Sequence, residues 1–553
     1  MPSFPVPPTI LVSHETISGT DVYGPGTFID KKILPVPEDA KRVFELLASQ
    51  TPGFTKNKAA WDTVHFEGLT KPMIPGPIKF SVTASALHAM AGLVANELLE
   101  LRDGKAVTDS KVTVDTDHAG LWLGSVFITY IDGLDMSALM QSGKMGSLFP
   151  RNYERGFGQG IAGRATAINQ TKDPKVWYQL HGSLDAEKTL ESMGIDSSVK
   201  FDKPQEYYDY IQKHVIQWSP DELEIHNVRH GLCGSICYSP EGWRKTEMGK
   251  RLNSHPLVNV AEQTYAKSTP PIPLLKDLPD RRPLAGIKVL EMVLQLVLNA
   301  GKRTIDLDIT KSEDMTRLHE LLADADIFIQ GFRMESLKRK GLGLHDLLEM
   351  ATKRDKGIIY VDENTYGPDG PFHARPGWQQ IGDAASGSSY IMGRSQGHEE
   401  GKSVLPPLPA SDMVTGIVGA LAAMMAVRDR AIKGGSYHVT SSLVAADATA
   451  LEQEVGLYPL DVVAETAKRL SFPDTTPDQY VSDILASVVN GWKKALPGYL
   501  YEDSKLMTTF EGGFWGRQTI LKPVARLDDD ESTPRWTSPP VPHCYHDRST
   551  TWL

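Results

Sequence analysis

Ile287-Lys-Val-Leu-Glu-Met292, Ile327-Phe-Ile-Gln330 and Gly357-Ile-Ile-Tyr-Val-Asp362 are short apolar runs of strand composition. An acidic segment of helical period, Glu313 to Ala323, and a helical stretch, Leu337 to Ala351, separate them. Strands joined through helices require crossover connections, so they pair in parallel and are covered on both faces. The C-terminal half is therefore expected to be α/β, a doubly wound, Rossmann-like parallel sheet.

Upstream, Ser268-Thr-Pro-Pro-Ile-Pro-Leu-Leu-Lys-Asp-Leu-Pro-Asp-Arg-Arg-Pro283 breaks helices and denies ladder hydrogen bonds, as a linker does. Downstream, Pro409-Ala-Ser-Asp-Met-Val-Thr-Gly416, an apolar stretch from Ile417 to Val427, Arg428-Asp429, Gly434-Gly435 and His438-Val-Thr-Ser-Ser-Leu443 resemble an earlier series. That series is Thr83-Ala-Ser-Ala-Leu-His88, an apolar stretch to Leu101, Arg102-Asp103, Gly104 and Lys111-Val-Thr-Val-Asp115. Aligning Val439-Thr440 with Val112-Thr113 sets Ser85 where Asp412 stands. The α/β character of the N-terminal half rests chiefly on this repeat, beside an amphipathic helix from Ala86 to Leu101. The expected division is a degenerate N-terminal copy (1–267), the linker (268–284), the α/β domain carrying Asp412 (285–459), and an extension and tail (460–553). One helix is expected in the extension, from Gln479 to Leu496, and the proline-rich end is expected to wrap a surface.

A chain of 553 residues exceeds one ordinary core. Hydrophobic content of 41% and charged content of 23% fit a globular protein, and a net charge of -11 argues against nonspecific nucleic-acid binding. Only Cys233, Cys237 and Cys544 occur, too few for a disulfide framework, so a reducing compartment is expected. The opening residues lack a secretory pattern, and the apolar stretch from Ile417 to Val427 is shorter than the ~20 residues of a membrane span. A cytoplasmic protein without membrane attachment is the expectation.

Asp412 precedes an apolar, helix-forming segment. A carboxylate there sits at the positive end of the helix dipole, which favours the anion that nucleophilic catalysis needs. Read alone, such a residue is an N-cap. His226, His230, Cys233 and Cys237 have zinc-ligand chemistry at close spacing, but the histidines precede the cysteines with almost no intervening chain; packing is the reading, and no metal is expected.

Four segments in order change the balance: Ala325-Asp-Ile-Phe-Ile-Gln-Gly-Phe-Arg333, Tyr366-Gly-Pro-Asp-Gly-Pro371, Pro376-Gly-Trp-Gln-Gln-Ile-Gly-Asp-Ala-Ala-Ser-Gly387 and Ser411-Asp-Met-Val-Thr-Gly416. Together they resemble the family III CoA-transferases, the formyl-CoA and carnitine CoA-transferase type whose superfamily includes α-methylacyl-CoA racemase. The whole chain looks like a fungal, fused two-copy version. The resemblance implies an acyl-CoA:carboxylate CoA-transferase in which Asp412 is the nucleophile, passing through an aspartyl acyl anhydride and an aspartyl-CoA thioester. Coenzyme A and acyl-CoA are then substrates, a carboxylic acid is the acceptor, and no cofactor is bound permanently.

By the same resemblance, Gly331, Phe332 and Arg333 contact CoA, Arg339 takes a phosphate, and Leu307 with Thr310 or Lys311 holds the nucleotide. Gly377, Trp378 and Gln379 line the thioester pocket. Core packing competes as the role of Phe332 and Trp378, and a solvated helix end as that of Arg339. Asp383 is a rival nucleophile better read as a pocket wall. Relative to the family, a strand-helix-strand unit is missing between Met292 and Val293, which favours as an alternative a catalytically silent binding or scaffold protein. A racemase is the other alternative, but it needs a histidine where Trp378 stands, and tryptophan cannot shuttle a proton. The family forms interlocked dimers, so either a monomer with pseudo-dimeric halves or a homodimer is implied.

Overall fold

The computed structural model describes residues 14–143, 160–264, 268–292 and 299–552. The N-terminal half contains strand β1 (Val64–Glu67), helix α1 (Phe80–Asp103), strand β2 (Val112–Asp115) and helix α2 (Thr116–Trp122). A smaller lobe follows, with an antiparallel sheet of β3 (Ala167–Gln170), β4 (Trp177–His181) and β5 (Cys233–Ile236). After it come β6 (Asn259–Glu262), β7 (Val289–Met292), α3 (Ser312–Asp324), β8 (Ile327–Gln330), α4 (Leu344–Lys353) and β9 (Ile359–Asn364). The last elements around the site are α5 (Gln379–Ser386), α6 (Ala410–Lys433), β10 (Tyr437–Ser442) and α7 (Leu443–Ala450).

The main sheet has the order β6-β10-β9-β8-β7. Its last four strands are parallel, as the crossover argument requires, and β6 joins antiparallel with Asn259 opposite Thr440. β6 thus comes from before the linker. The helical stretch from Leu337 to Ala351 is interrupted: one helix ends at Lys338 and α4 begins at Leu344, because Gly341 turns the chain through φ 70°. The run that follows Met292, where the missing unit was placed, lies outside the described residues. The extension holds two helices, Leu460–Leu470 and Val481–Ala495, where one was expected.

The two halves share an order of elements. β1, α1, β2 and α2 in one, and β9, α6, β10 and α7 in the other, each form a parallel strand pair with the long helix between the strands. Both long helices have 24 residues. Each lies close on its following strand at a glycine. A Cβ on Gly92 would stand 2.5 Å from Val112 Cγ1, and one on Gly419 would stand 3.1 Å from Ser441 Oγ.

Helix α1 is not amphipathic as expected; nearly its whole circumference is buried, because α6, α2 and the helix Val36–Gln50 surround it. A single apolar core runs through both halves, with Leu87, Met90 and Val94 in the same cluster as Leu421, Ala422 and Met425. Polar ties reinforce it. Arg428 of α6 donates to Glu97 of α1 at 2.7 Å. Lys79, fully buried, pairs with Asp30 and Asp39 and donates to the Val455 carbonyl at 3.1 Å. Breaking such a buried network typically costs about 3–5 kcal/mol.

The tail wraps residues 299–317, which come after the edge strand β7. Asn299 donates to the Val541 carbonyl at 3.0 Å, Thr304 and His546 exchange backbone and ring hydrogen bonds, and Arg317 donates to the Arg548 carbonyl at 2.9 Å. Trp536 of the tail stacks on Trp122 of α2, so the tail also reaches the N-terminal half.

Candidate functional site

Helix α6 begins without a side-chain cap. Its N-cap is Pro409, and Asp412 is the third helical residue, so the capping role expected of Asp412 is not the one it has. Ser411 and Met413 on either side are buried, whereas Asp412, Gly416 and Ala420 are exposed. Residues four apart lie on one helix face, so these three form an open track with a carboxylate at its start. Among the described residues nothing stands within 4 Å of where a Gly416 Cβ would be.

Asp412 is both accessible and crowded. Its side chain meets solvent at the mouth of the track while protein atoms enclose its other sides. Accessible surface decides whether a substrate can reach it, and crowding decides its charge. The crowding, then the neighbouring carboxylates of Glu363 and Asp447, raise its pKa from the ordinary carboxylate range to about 7. The helix dipole expected to favour the anion is therefore outweighed.

Glu363, at the end of β9, is also lifted to about 7 by burial and by Glu291, with Lys302 acting against them. Its Oε1 lies beside Gly419, 3.4 Å from where a Cβ would be, and Lys302 pairs with Glu291. The polar atoms Ser441 Oγ, Thr415 Oγ1 and Asn364 Nδ2, on the elements around this track, are buried without partners among the described residues. Unspent buried donors carry a desolvation cost that a ligand can offset.

The loop leading into α5 sits beside the start of α6. Gly377 presses on Thr365, whose Oγ1 would be 2.3 Å from any Cβ there, which confines the position to glycine. Trp378 stacks on His181 of the lobe, with ring centroids 5.4 Å apart and planes 4° from parallel, and its Nε1 donates to Ser183 Oγ at 3.3 Å. Sequence reasoning did not find His181, since a histidine ending a lobe strand carries no local signal. Burial lowers its pKa to about 4, and Nδ1 accepts from the Ser183 N–H at 2.8 Å, so it is a neutral ring with its proton on Nε2. Gln379 donates to Asp383, and Ser411 Oγ links Asp383 to the foot of Asp412 at 3.3 Å. Asp383 itself is fully buried.

Gly331, Phe332 and Arg333 lie exposed just beyond the C-terminal end of β8. Phe332 is 41% exposed, which removes core packing as its role. Arg333 faces Gly231 of the lobe, its Nη1 3.6 Å from where a Cβ would be. Leu307 packs into an apolar cluster with Leu318 and Leu337. Thr310 and Lys311 form a turn around Asp308, with Thr310 Oγ1 2.6 Å and Lys311 Nζ 3.6 Å from its carboxylate. Lys340 donates to the Ile309 carbonyl at 3.4 Å, which brings that turn beside exposed Arg339. The chain thus gathers Asp412, Gly377, Trp378 and Gln379 in one place and Leu307, Thr310, Lys311 and Arg339 in another, with Gly331 to Arg333 at the strand end.

The histidine–cysteine set does not converge. His226 and His230 meet in a tilted contact with ring centroids 4.2 Å apart, and His226 bonds Ser192, while Cys233 faces Ser183 and Trp378 and Cys237 faces Ser403. Among the described residues no group of three or more such side chains is placed to hold a metal ion. In the N-terminal half, Ser85 is fully buried and its hydroxyl donates to the Ser81 carbonyl at 2.7 Å.

Residues 290–492 match the family described as CoA-transferase family III. The chain is 40% identical, over 96% of its length and 98% of the relative's, to an acyl-CoA transferase of Gibberella moniliformis. It is 30% identical, over 84% of each chain, to an acetyl-coenzyme A transferase of Hypoxylon pulicicidum. A solved CAIB/BAIF family protein from Brucella suis is 16% identical, with 48% of this chain and 97% of that one covered and a TM-score of 0.35.

Proposed function

The chain belongs to CoA-transferase family III, and from that premise we propose that it moves CoA from an acyl-CoA to a carboxylic acid, with Asp412 as the nucleophile. The carrying observation is that Asp412 is the solvent-reaching carboxylate of a helix start whose flanking residues are buried.

An Asp412 carboxylate oxygen attacks the thioester carbonyl and expels CoA thiolate, leaving a mixed anhydride. The thiolate attacks the aspartyl carbonyl, which releases the donor acid and leaves an aspartyl-CoA thioester. The acceptor carboxylate attacks that carbonyl, and the thiolate, freed again, takes the acyl group from the second anhydride and restores Asp412. Covalent intermediates conserve the thioester energy, and exclusion of water protects them. Trp378 has no transferable proton for epimerisation, and buried neutral His181 behind it is poorly placed to charge, which supports transfer over racemisation.

The matching order of elements in the two halves supports a tandem duplication in which only the second copy is catalytic, since Ser85 is sealed. One chain then imitates a dimer, with acyl-CoA and an acid as its partners. Three free thiols fit a reducing compartment, which we take to be the cytoplasm.

The test is CoA transfer from acyl-CoA to a panel of carboxylates, run beside calorimetry with free CoA. Transfer by the wild type and its loss in Asp412→Asn is the expected result. CoA binding without transfer to any acid would favour the silent reading.

A further inference from the structure

Beneath Asp412 lie two carboxyl groups that no substrate reaches. Asp383 on α5 is fully buried and Asp447 on α7 is 1% exposed, and Ser386 Oγ reaches both the Asp383 carbonyl and Asp447 Oδ2 at 3.3 Å, which sets the two carboxyls beside each other. Asp383 accepts from Gln379 Nε2 through Oδ2 and from Ser411 Oγ through Oδ1. Asp447 Oδ2 accepts from Ser386 Oγ at 3.3 Å, and Ser386 also meets Ser388 Oγ at 3.1 Å. Asp447 Oδ1 is buried with no donor among the described residues. The groups facing the pair are Asp412 from α6, the Cys237 thiol following β5, and hydroxyls. Among the described residues no lysine, arginine or histidine pairs with either carboxyl.

Two carboxylates in contact inside a protein, with no cation, cannot both be ionised; one proton between them removes the repulsion and fills the orphaned oxygen. We propose that Asp383 is a protonated positioning residue, its carboxylic O–H donating to Asp447 Oδ1 while its two oxygens hold Gln379 and Ser411 beside the Asp412 nucleophile. The burial of both groups and the repulsion of Asp447 and Asp412 push Asp383 well above the usual range, in the same direction. The consequence is mechanical. α5, α6 and α7 meet at this one hydrogen-bonded knot, so the start of α6 keeps its place when Asp412 changes charge during turnover. The single negative charge left on the pair also adds to the field that raises Asp412.

This inference rests on the assignment of Asp412, and its test separates the two. Asparagine keeps the donor and one acceptor of a protonated aspartic acid: its carbonyl accepts from Gln379 and its amide donates to Asp447, while Ser411 Oγ keeps the Gln379 carbonyl as its acceptor. Asp383→Ala is expected to lower kcat about tenfold or more, and Asp383→Asn to restore most of it. Infrared spectra at about pH 9, where carboxyls titrating near neutrality are ionised, should show a protonated carboxylic C=O band in the wild type and in Asp412→Asn, absent in Asp383→Asn. No such band in the wild type, or Asp383→Asn as impaired as Asp383→Ala, overturns the proposal. An active Asp412→Asn enzyme that keeps the band would instead overturn the nucleophile assignment alone.

Discussion

Trp378 stacks on His181, their ring centroids 5.4 Å apart and their planes 4° from parallel, so the loop beside Asp412 is held by a residue nearly two hundred positions earlier in the chain. Stacked pairs of this kind contribute about 0.5–1.5 kcal/mol. His181→Ala should therefore lower kcat/KM by up to about tenfold, and His181→Phe should recover most of the loss. Steady-state kinetics on the two variants checks this; equal, complete inactivation of both would mean that the imidazole has a chemical role rather than a stacking one.

The proposed attack needs Asp412 in its ionised form, and its pKa is raised to about 7. Transfer should therefore increase with pH through an acid limb near 7. Removing the Glu363 charge takes away a repulsion that favours the neutral form, so Glu363→Gln should move the limb to lower pH. The pH dependence of kcat/KM reads both; an unmoved limb would separate Glu363 from Asp412.

The same shift has a stability consequence of opposite sign. A carboxyl whose folded pKa lies above its unfolded value favours folding when protonated and opposes it progressively as pH rises from the unfolded pKa through about 7. Asp412→Asn removes that opposition, so its Tm relative to wild type should rise between acid and mildly alkaline pH, by an amount reduced by the solvent at the mouth of the track. Thermal melts across that range provide the check.

Gly416 faces open space in the track. Gly416→Ala should stabilise α6 by about 0.5–1 kcal/mol through helix propensity while raising KM for acyl-CoA, and Gly416→Leu should abolish turnover with folding retained. Denaturant unfolding together with kinetics tests the pair, and full activity in Gly416→Leu would show that substrate does not run along this face.

Ser85 offers the converse case. Its site is closed and its hydroxyl is spent on Ser81. Ser85→Asp should lower stability by several kcal/mol because it buries an unpaired charge, and should add no second active site. Chemical denaturation and active-site titration measure the two parts.

The parallel pairing of β7, β8 and β9 was legible because apolar runs and helical periods alternate there, whereas Asp412 stood out only through the four segments that resemble the family, since its place before an apolar helix reads alone as a cap. The contribution of β6, the stack of His181 on Trp378 and the union of Asp383 with Asp447 were not. They depend on which distant segments meet, and no local period encodes that. Asp412 was expected to gain its anion from the helix dipole, but burial first, then Glu363 and Asp447, 49 residues before it and 35 after it, set the opposite bias. The helix Leu460–Leu470 was not among the expected elements, although Pro459 stands at its start and proline is well suited to begin a helix.

The central claim is a covalent bond to one residue. Incubation with acyl-CoA and hydroxylamine, followed by peptide mass mapping, should place a hydroxamate on Asp412 and inactivate the enzyme in step. An acyl-CoA turned over at the normal rate with Asp412 unmodified would contradict it.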